Sequence, residues 1–321
     1  MVHMTSNTDH LIRAELWSTE LKEIFEDELF ALRYIDWLEG FPDGDMFHIP
    51  SIGKAEVQKY EEGQAVTYSD LPTGDFTFRI TEYNQSGHAI TNKMKQDSYL
   101  FSQLIAKFVP AEHRALMKVM EKDALRIGVD RQTASDLNVI NTAPHRWVAT
   151  GASDAISIED FARARYALQK ANVPMTNLVA IVDPSVEFAL NTQSNIVNLM
   201  SPQPAWQPVV NEGISTGMQF KMNLYGFDVY VSQNLKEIAS ETIDGRSVSN
   251  GVANLFFSAA PEATPLVGAV RQPPKVDSEY NKDLQREEYV TTCRYGLDLY
   301  RPENFVVVIS DTTIANPADP A

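Results

Sequence analysis

Residues 46–53, MFHIPSIG, form a short predicted strand that runs into a long polar segment, and this transition decides the fold class. The segment that follows, about Lys54–Ile90, has no contiguous apolar run before Asp75. A two-stranded ribbon of this kind is only marginally stable alone, so its apolar side needs another surface to cover it. The pattern therefore predicts an extended hairpin that reaches away from the core of the chain.

Helical patterns flank this hairpin on both sides. Leu11–Glu39 carries apolar residues at three- and four-residue steps among acidic ones, which predicts an amphipathic helix. Two interpretations of it stay open: a surface helix on the core, or an arm that docks on a partner. Met94–Ile127 predicts a long helix with two apolar stripes. Pro110 lies between the stripes and predicts a kink or a restart, and Gly128 predicts the end.

The remaining elements are short and are read from apolar runs and turn residues. The chain between residues 192 and 219 is rich in loop-forming residues, and we find no internal repeat. The predicted elements are turns at Asp70–Asp75 and Asn84–Gly87 around a strand at Phe76–Tyr83, a capped helix at Ser157–Asn172, a buried strand at Leu178–Val182, a short helix at Pro184–Asn191, a hairpin at Phe220–Ser232, strands at Leu255–Ser258 and Leu266–Val270, a polar stretch at Pro273–Asp283, and closing strands at Tyr289–Tyr300 and Phe305–Ser310.

Composition narrows the class of protein. The chain has 321 residues, 44% of them hydrophobic, which suffices for a sizeable core. No apolar run approaches the roughly 18 residues that a membrane span needs, and Met1–His10 lacks the layout of a signal peptide, so we expect folding in a cytoplasm. The single Cys293 excludes an intramolecular disulfide. The net charge of −16 argues against tight nucleic-acid binding, which depends on Lys and Arg, but allows the chain to lie close to nucleic acid.

Catalytic motifs occur only as isolated matches. Gly213–Gly217 (GISTG) matches the nucleophile elbow of hydrolases, but a Pro-rich stretch precedes it and a strand follows it, whereas an elbow needs a strand before and a helix after. That fold also needs a histidine downstream, and the last histidine is His145. Ser51–Lys54 matches Ser-x-x-Lys without the further motifs of penicillin-recognising enzymes. We therefore predict no catalytic, cofactor-binding or metal-binding residues.

Several stretches carry a resemblance to one known family through their order and spacing. They are LWSTEL at 16–21, FHIPSIGKA at 47–55, VTYSDL at 66–71 with ITNK at 90–93, KQD at 95–97, the helix and strand at 157–184, and RYGLDLYRPE at 294–303. Together they resemble the major capsid protein of tailed bacteriophages, in the Hong Kong phage capsid fold that encapsulins share. The resemblance covers nearly the whole chain.

The resemblance implies an α+β fold with five successive parts. They are an N-terminal arm at 1–45, a strand and extended β-hairpin loop at 46–92, a peripheral domain with a long spine helix at 93–172, an axial domain at 173–250, and a return to both domains with the C-terminal strands at 251–321. No long helical prefix precedes the arm, so we expect that a fused scaffold segment is absent or has been cleaved away, and the initial Met1 favours a separate scaffolding protein.

The function that the resemblance implies is structural, not enzymatic. The chain would self-assemble through pentamers and hexamers into the icosahedral head of a tailed phage, which encloses double-stranded DNA and contacts it non-specifically. It would be built in the host cytoplasm with a portal and decoration proteins as further partners, and with no cofactor and no membrane. The expected intersubunit contacts are Trp17, Lys54, Lys59, Tyr68, Asp70 and Arg79.

Alternatives remain at this level. Some relatives join a loop lysine covalently to an asparagine of a neighbour, but the sequence identifies no such partner for Lys54 or Lys59. Within the same fold, the chain could instead form an encapsulin-like compartment that holds a cargo protein. A more remote alternative is a serine hydrolase that uses Ser215.

Overall fold

The computed structural model describes residues 29–38, 46–52, 59, 62, 73–93, 101–132, 135–192 and 222–312. The strands, in chain order, are β1 Ile35–Trp37, β2 Met46–Ile52, β3 Thr73–Arg79, β4 Glu82–Thr91, β5 Val139–Ile140, β6 Ala143–Pro144, β7 Arg146–Val148, β8 Leu178–Val182, β9 Met222–Leu224, β10 Phe227–Val231, β11 Glu237–Ile238, β12 Glu241–Ile243, β13 Arg246–Val248, β14 Gly251–Ser258, β15 Leu266–Asn281, β16 Arg286–Leu299 and β17 Val306–Asp311. The helices are α1 Phe101–Asp130, α2 Ile158–Lys170 and α3 Pro184–Thr192, with short 3-10 turns at Ala31–Tyr34, Ala152–Asp154 and Pro302–Asn304.

A seven-stranded mixed sheet lies at the centre, in the order β7-β17-β14-β8-β10-β9, with β11 paired to β14. Its inner strands are continuous apolar runs, because both of their faces are covered. Along β14, Leu255 and Phe257 join the core cluster on one face, whereas Phe256 joins the cluster on the other. The aromatic ring of Phe256 meets that of Phe161 from α2 edge-on, with centroids 5.0 Å apart. This alternation with a period of two places one core on each side of the sheet.

A second sheet of four strands, in the order β1-β15-β16-β4, forms the peripheral part. The strands β15 and β16 pair over nearly their full length, and β4 pairs with β16 from Glu82 to Thr91 without a register shift. Burial falls along β15, from Leu266 at 4% exposed to Tyr280 at 44%. One end of this sheet therefore packs on the core, and the other end is an exposed three-stranded ribbon.

The long helix α1 packs across this sheet, and it differs from the prediction at two points. It is one helix from Phe101 to Asp130, so the predicted restart at Pro110 is wrong. Gly128 lies inside the helix and does not end it. A Cβ atom at Gly128 would lie only 2.4 Å from the Phe305 ring, so this glycine allows a close approach. The prediction was wrong because glycine often ends a helix, whereas Gly128 is needed here for its small size beside the Phe305 ring.

The predicted N-terminal helix is wrong for residues 29–38, which the structure describes. Residues 29–38 form a 3-10 turn and then the strand β1, which pairs in parallel with β15. Phe30 and Ile35 are buried in the main core cluster, and the Phe30 ring stacks on Tyr230 at 5.3 Å. The backbone hydrogen bonds of β15 and this burial override the helical spacing of apolar residues. The part of that prediction before Leu29 lies outside the described residues.

Two further segments that were predicted as turn or polar stretch are strands. Asn84–Gly87 belongs to β4, and Pro273–Asp283 lies mostly in β15. Both are polar because they form the exposed ribbon, where the partner strand supplies hydrogen bonds and little side-chain burial is available. The capped helix α2, the buried strand β8, the helix α3 and the closing strands are confirmed. The turn at Tyr225–Gly226 joins β9 to β10, as predicted for the hairpin.

Candidate intersubunit surface

The hairpin of β2 and β3 is anchored at its base by a small apolar cluster. The strands pair from Met46 opposite Arg79 to Ile52 opposite Thr73. Phe76 and Phe78 of β3 lie in or against a cluster with Val267 and Ala269 of β15, and the Phe76 ring meets Tyr300 edge-on at 5.1 Å. The base of the hairpin is therefore fixed to the four-stranded sheet.

The chain leaves this hairpin by crossing closely over β16. A Cβ atom at Gly296 would lie 2.7 Å from the carbonyl oxygen of Arg79 and 2.8 Å from the Cα of Ile80. Only a residue without a side chain permits this backbone approach. The crossing sets the direction in which β3 continues into β4.

A groove of about 570 Å³ lies between the hairpin base and α1. Charged residues dominate its walls, and most are paired: Arg126 donates to Asp130 at 2.7 Å, and Arg131 makes two hydrogen bonds of 2.6 Å to Asp298. Burial acts to raise the pKa of Asp130, but hydrogen bonds from Lys236 and Arg126 outweigh it and hold this pKa below its usual value. The groove is thus a set of satisfied ion pairs rather than an apolar ligand pocket.

Polar contacts tie α1 to the ribbon. The hydroxyl of Tyr295, which is 0% exposed, donates to Asp123 and accepts a hydrogen bond of 2.9 Å from the Asn84 amide. Burial, and then the hydrogen bond to the Asp123 carboxylate, raise the pKa of Tyr295 far above its usual value. Further along β4, the Nε2 of His88 lies 2.6 Å from an Oε1 of Glu112. These contacts join the helix α1 to the ribbon at two places along β4.

The ribbon presents exposed apolar side chains along its length. Tyr83, Tyr280, Leu284 and Val290 are between 38% and 57% exposed. Ion pairs on the same surface are exposed too, such as Lys275 with Asp277 at 2.7 Å. Surface ion pairs of this kind add little stability, so the subunit gains little from this extension by itself.

The structure describes two of the six predicted contact residues. Lys59 is exposed, and Arg79 is exposed on β3, where it lines the groove beside α1. Trp17, Lys54, Tyr68 and Asp70 lie outside the described residues. The two described members are not brought together by any contact, and the six remain a prediction.

Sequence reasoning missed the residues that join the helix to the ribbon. Tyr295 and Asp123 are 172 positions apart, and Asn84 lies 211 positions from Tyr295. No local pattern connects positions that are so far apart. The one available signal was the tyrosine itself, because a buried tyrosine hydroxyl needs a hydrogen-bond partner.

The described residues contain no group of three His, Cys, Asp or Glu side chains that could hold a metal ion. His145 is fully buried, its Nδ1 lies 3.0 Å from the carbonyl oxygen of Ala143, and burial lowers its pKa. The GISTG motif lies outside the described range. Within that range, too, none of the helices has the length and apolar character to span a bilayer.

The chain is similar to solved phage structures over nearly its whole length. A chain of Mycobacterium phage Che8 is 18% identical, with 92% of this chain and 96% of that chain covered and a TM-score of 0.68. A chain from the capsid of cyanophage P-SCSP1u is 12% identical, with 92% and 91% covered and a TM-score of 0.68. A chain from the mature capsid of bacteriophage PhiM1 is 12% identical, with 97% and 95% covered and a TM-score of 0.68.

No protein-family model matches this chain, and no curated protein matches it either. The structural likeness covers more than nine-tenths of the chains on both sides. At these identities the comparisons establish the fold. The chain has the α+β fold of phage capsid proteins, as the resemblance in its sequence implied.

Proposed function

We propose that this chain is the major capsid protein of a tailed bacteriophage, a non-enzymatic subunit that assembles into an icosahedral head. The observation that carries the proposal is the similarity, at TM-scores up to 0.68 and over more than nine-tenths of the chain, to structures described as phage capsids. A chain from the capsid of a native gene transfer agent particle is also similar, with a TM-score of 0.63. None of the structures compared above is described as an encapsulin or a hydrolase.

The exposed hairpin and ribbon support the same role. An isolated domain has little to gain from a polar three-stranded extension with exposed tyrosine, leucine and valine side chains, because ordering it costs conformational entropy. The same surface becomes favourable where a neighbouring copy covers it. We propose that both extensions lie on adjacent subunits in pentamers and hexamers. We also propose the five-part division at residues 45, 92, 172 and 250.

The net charge supports a passive relation to the genome. With 27 basic against 43 acidic residues, the subunit carries −16 and cannot neutralise many phosphates. We propose that it encloses double-stranded DNA and contacts it weakly and without sequence preference. Scaffolding, portal and decoration proteins are the further partners, and assembly takes place in the host cytoplasm.

Imaging of the purified protein tests the proposal. The chain would be expressed alone and with a candidate scaffolding protein, and negative-stain microscopy would be combined with sedimentation. We expect closed, uniform shells in at least one of the two preparations. A chain that stays monomeric in both, at high concentration, would contradict the proposal.

A further inference from the structure

Among the described strands, β4 is the long edge strand of the peripheral sheet. It has ten residues, Glu82–Thr91, and contains neither proline nor lysine. The opposite edge, β1, has only three residues. Among the described strands, β16 alone pairs with β4. Proteins protect long edge strands with proline or lysine, because the unpaired backbone groups are a template for another strand.

The pairing with β16 shows which backbone groups of β4 point outward. The Asn92 N–H donates to the carbonyl oxygen of Gln285 at 3.0 Å, and the register is constant from there to Glu82. In an antiparallel ladder, opposed residues alternate between hydrogen-bonded and non-hydrogen-bonded pairs. Because Asn92 is in a hydrogen-bonded pair, the even-numbered residues of β4 bond to β16. The N–H and C=O groups of Tyr83, Gln85 and Gly87 therefore point to the free edge.

None of the described contacts inside the subunit requires a glycine at position 87. A Cβ atom there would meet Val290 and Tyr289 at 3.8 and 3.9 Å, which is ordinary contact, and Gly87 is not among the described glycines with a positive φ. Glycine weakens a strand, and it often marks a place where another chain comes close. Tyr83, four residues earlier, is 57% exposed.

We propose that β4 pairs antiparallel with β4 of a second copy of this chain, about a two-fold axis at Gln85. In this register, Gln85 faces the partner's Gln85 as a hydrogen-bonded pair. Tyr83 lies opposite the partner's Gly87, whose missing side chain leaves room for the aromatic ring. Glu82 lies opposite the partner's His88, which gives an acidic group and a basic group on each side of the axis.

Side-chain complementarity, rather than the pattern of outward backbone groups, distinguishes this register from one centred on Gly87. A pairing centred on Gly87 would also match the outward backbone groups. It would place Tyr83 opposite Thr91 and Glu82 opposite Asn92, and so it would lose both complementary pairs. Because directly opposed residues share a face, Glu82 and the partner's His88 both lie on the helix side, where His88 already contacts Glu112 at 2.6 Å.

The two subunits can adopt this pairing without a clash between their long helices. The helix α1 packs mainly over β16, one strand in from the edge. Across the axis the two β16 strands are three strand spacings apart, about 14 Å at roughly 4.8 Å per strand. Packed helices need about 8–10 Å. The result is a continuous eight-stranded sheet with both helices on one face.

This inference deepens the proposed function and rests on it in one respect, that copies of this chain meet in an assembly.

Disulfide crosslinking tests the pairing of the two β4 strands. In a Cys293→Ala background, Gln85→Cys should give a disulfide-linked dimer under mild oxidation, because opposed residues in such a pair lie about 5.5 Å apart between Cα atoms. The matched control is Ala89→Cys, which would stand about 27 Å from its counterpart at about 3.4 Å per residue.

The outcomes separate the two proposals. A dimer with Gln85→Cys and none with Ala89→Cys supports the pairing, whether or not shells form. Shells that assemble normally without the Gln85→Cys dimer overturn the pairing and leave the proposed function intact. Equal crosslinking of both variants would also overturn it, because contact would then not depend on register. Absence of both the dimer and the shells would contradict both.

A proline variant provides a second test that leaves the fold in place. Gln85→Pro removes an N–H that points to the free edge, so the bonds to β16 remain. We expect sedimentation to show loss of the paired species with Gln85→Pro and its retention with Gln85→Ala, while circular dichroism stays unchanged. Pairing that survives in a folded Gln85→Pro chain would overturn the inference.

Discussion

The buried hydroxyl of Tyr295 offers a quantitative test of how α1 is held to the ribbon. Tyr295→Phe keeps the ring, which is 0% exposed, and so leaves no cavity. It removes a hydrogen bond to the Asp123 carboxylate and another from the Asn84 amide. A hydrogen bond to a charged group contributes about 1.5–3 kcal/mol, and a neutral one about 0.5–1.5 kcal/mol. Asp123 and Asn84 are half-buried and regain some water, so we expect a net loss of about 2 kcal/mol.

The assay is urea unfolding of the unassembled subunit, with a matched variant on the same strand. Tyr289→Phe also removes a hydroxyl that donates to a carboxylate, that of Glu287, at 2.7 Å. That pair lies on the ribbon, where water replaces the lost bond, so we expect less than about 1 kcal/mol. A loss for Tyr295→Phe that equals the loss for Tyr289→Phe would refute the reasoning, since it would show that the buried network adds nothing.

Three further perturbations follow from other contacts. Gly128→Ala should lower the free energy of unfolding by about 1–3 kcal/mol in denaturant titrations, because its Cβ would lie 2.4 Å from the Phe305 ring; an unchanged midpoint would mean that the helix can shift. Arg146→Met should cost about 3–5 kcal/mol, because it strands the carboxylate of Glu241, whose side chain is only 9% exposed. The double variant Arg146→Met/Glu241→Leu should recover most of that loss. If it recovers none, the loss comes from altered packing and not from the unpaired carboxylate. Burial and then a neighbouring carboxylate raise the pKa of Tyr295 above 10.0, so its contribution is present below pH 10.0 and disappears as the pH rises further. Above pH 10.0, the melting temperature of the wild type should therefore fall more steeply with rising pH than that of Tyr295→Phe. An equal fall in the two proteins would contradict this prediction.

Local signals in the sequence predicted the elements that local interactions form. The helix α2 begins with a capping box between Ser157 and Asp160, and β8 is an uninterrupted apolar run. The turn between β9 and β10 places Gly226 at φ 87°, which glycine adopts readily. Each of these features depends on residues within a few positions of one another.

Elements that depend on distant pairing were not predictable in the same way. Residues 35–37 have helical spacing in the sequence, yet they pair with residues more than 200 positions away in β15. Asn84–Gly87 contains turn residues, yet it is held straight by β16. The same limit applies to the contacts between α1 and the ribbon, because the network of Asn84 and Tyr295 joins residues 211 positions apart.

A three-dimensional reconstruction of assembled particles tests the central claim most directly. If the chain is a shell subunit, density for the β2–β3 hairpin and for the outer ribbon of β4, β15 and β16 will lie against neighbouring copies in closed icosahedral shells. The apolar side chains Tyr83, Tyr280, Leu284 and Val290 will then be covered more than in the free subunit, where they are 38–57% exposed. Particles in which both extensions remain surrounded by solvent, or a preparation that never forms closed shells, would contradict the account.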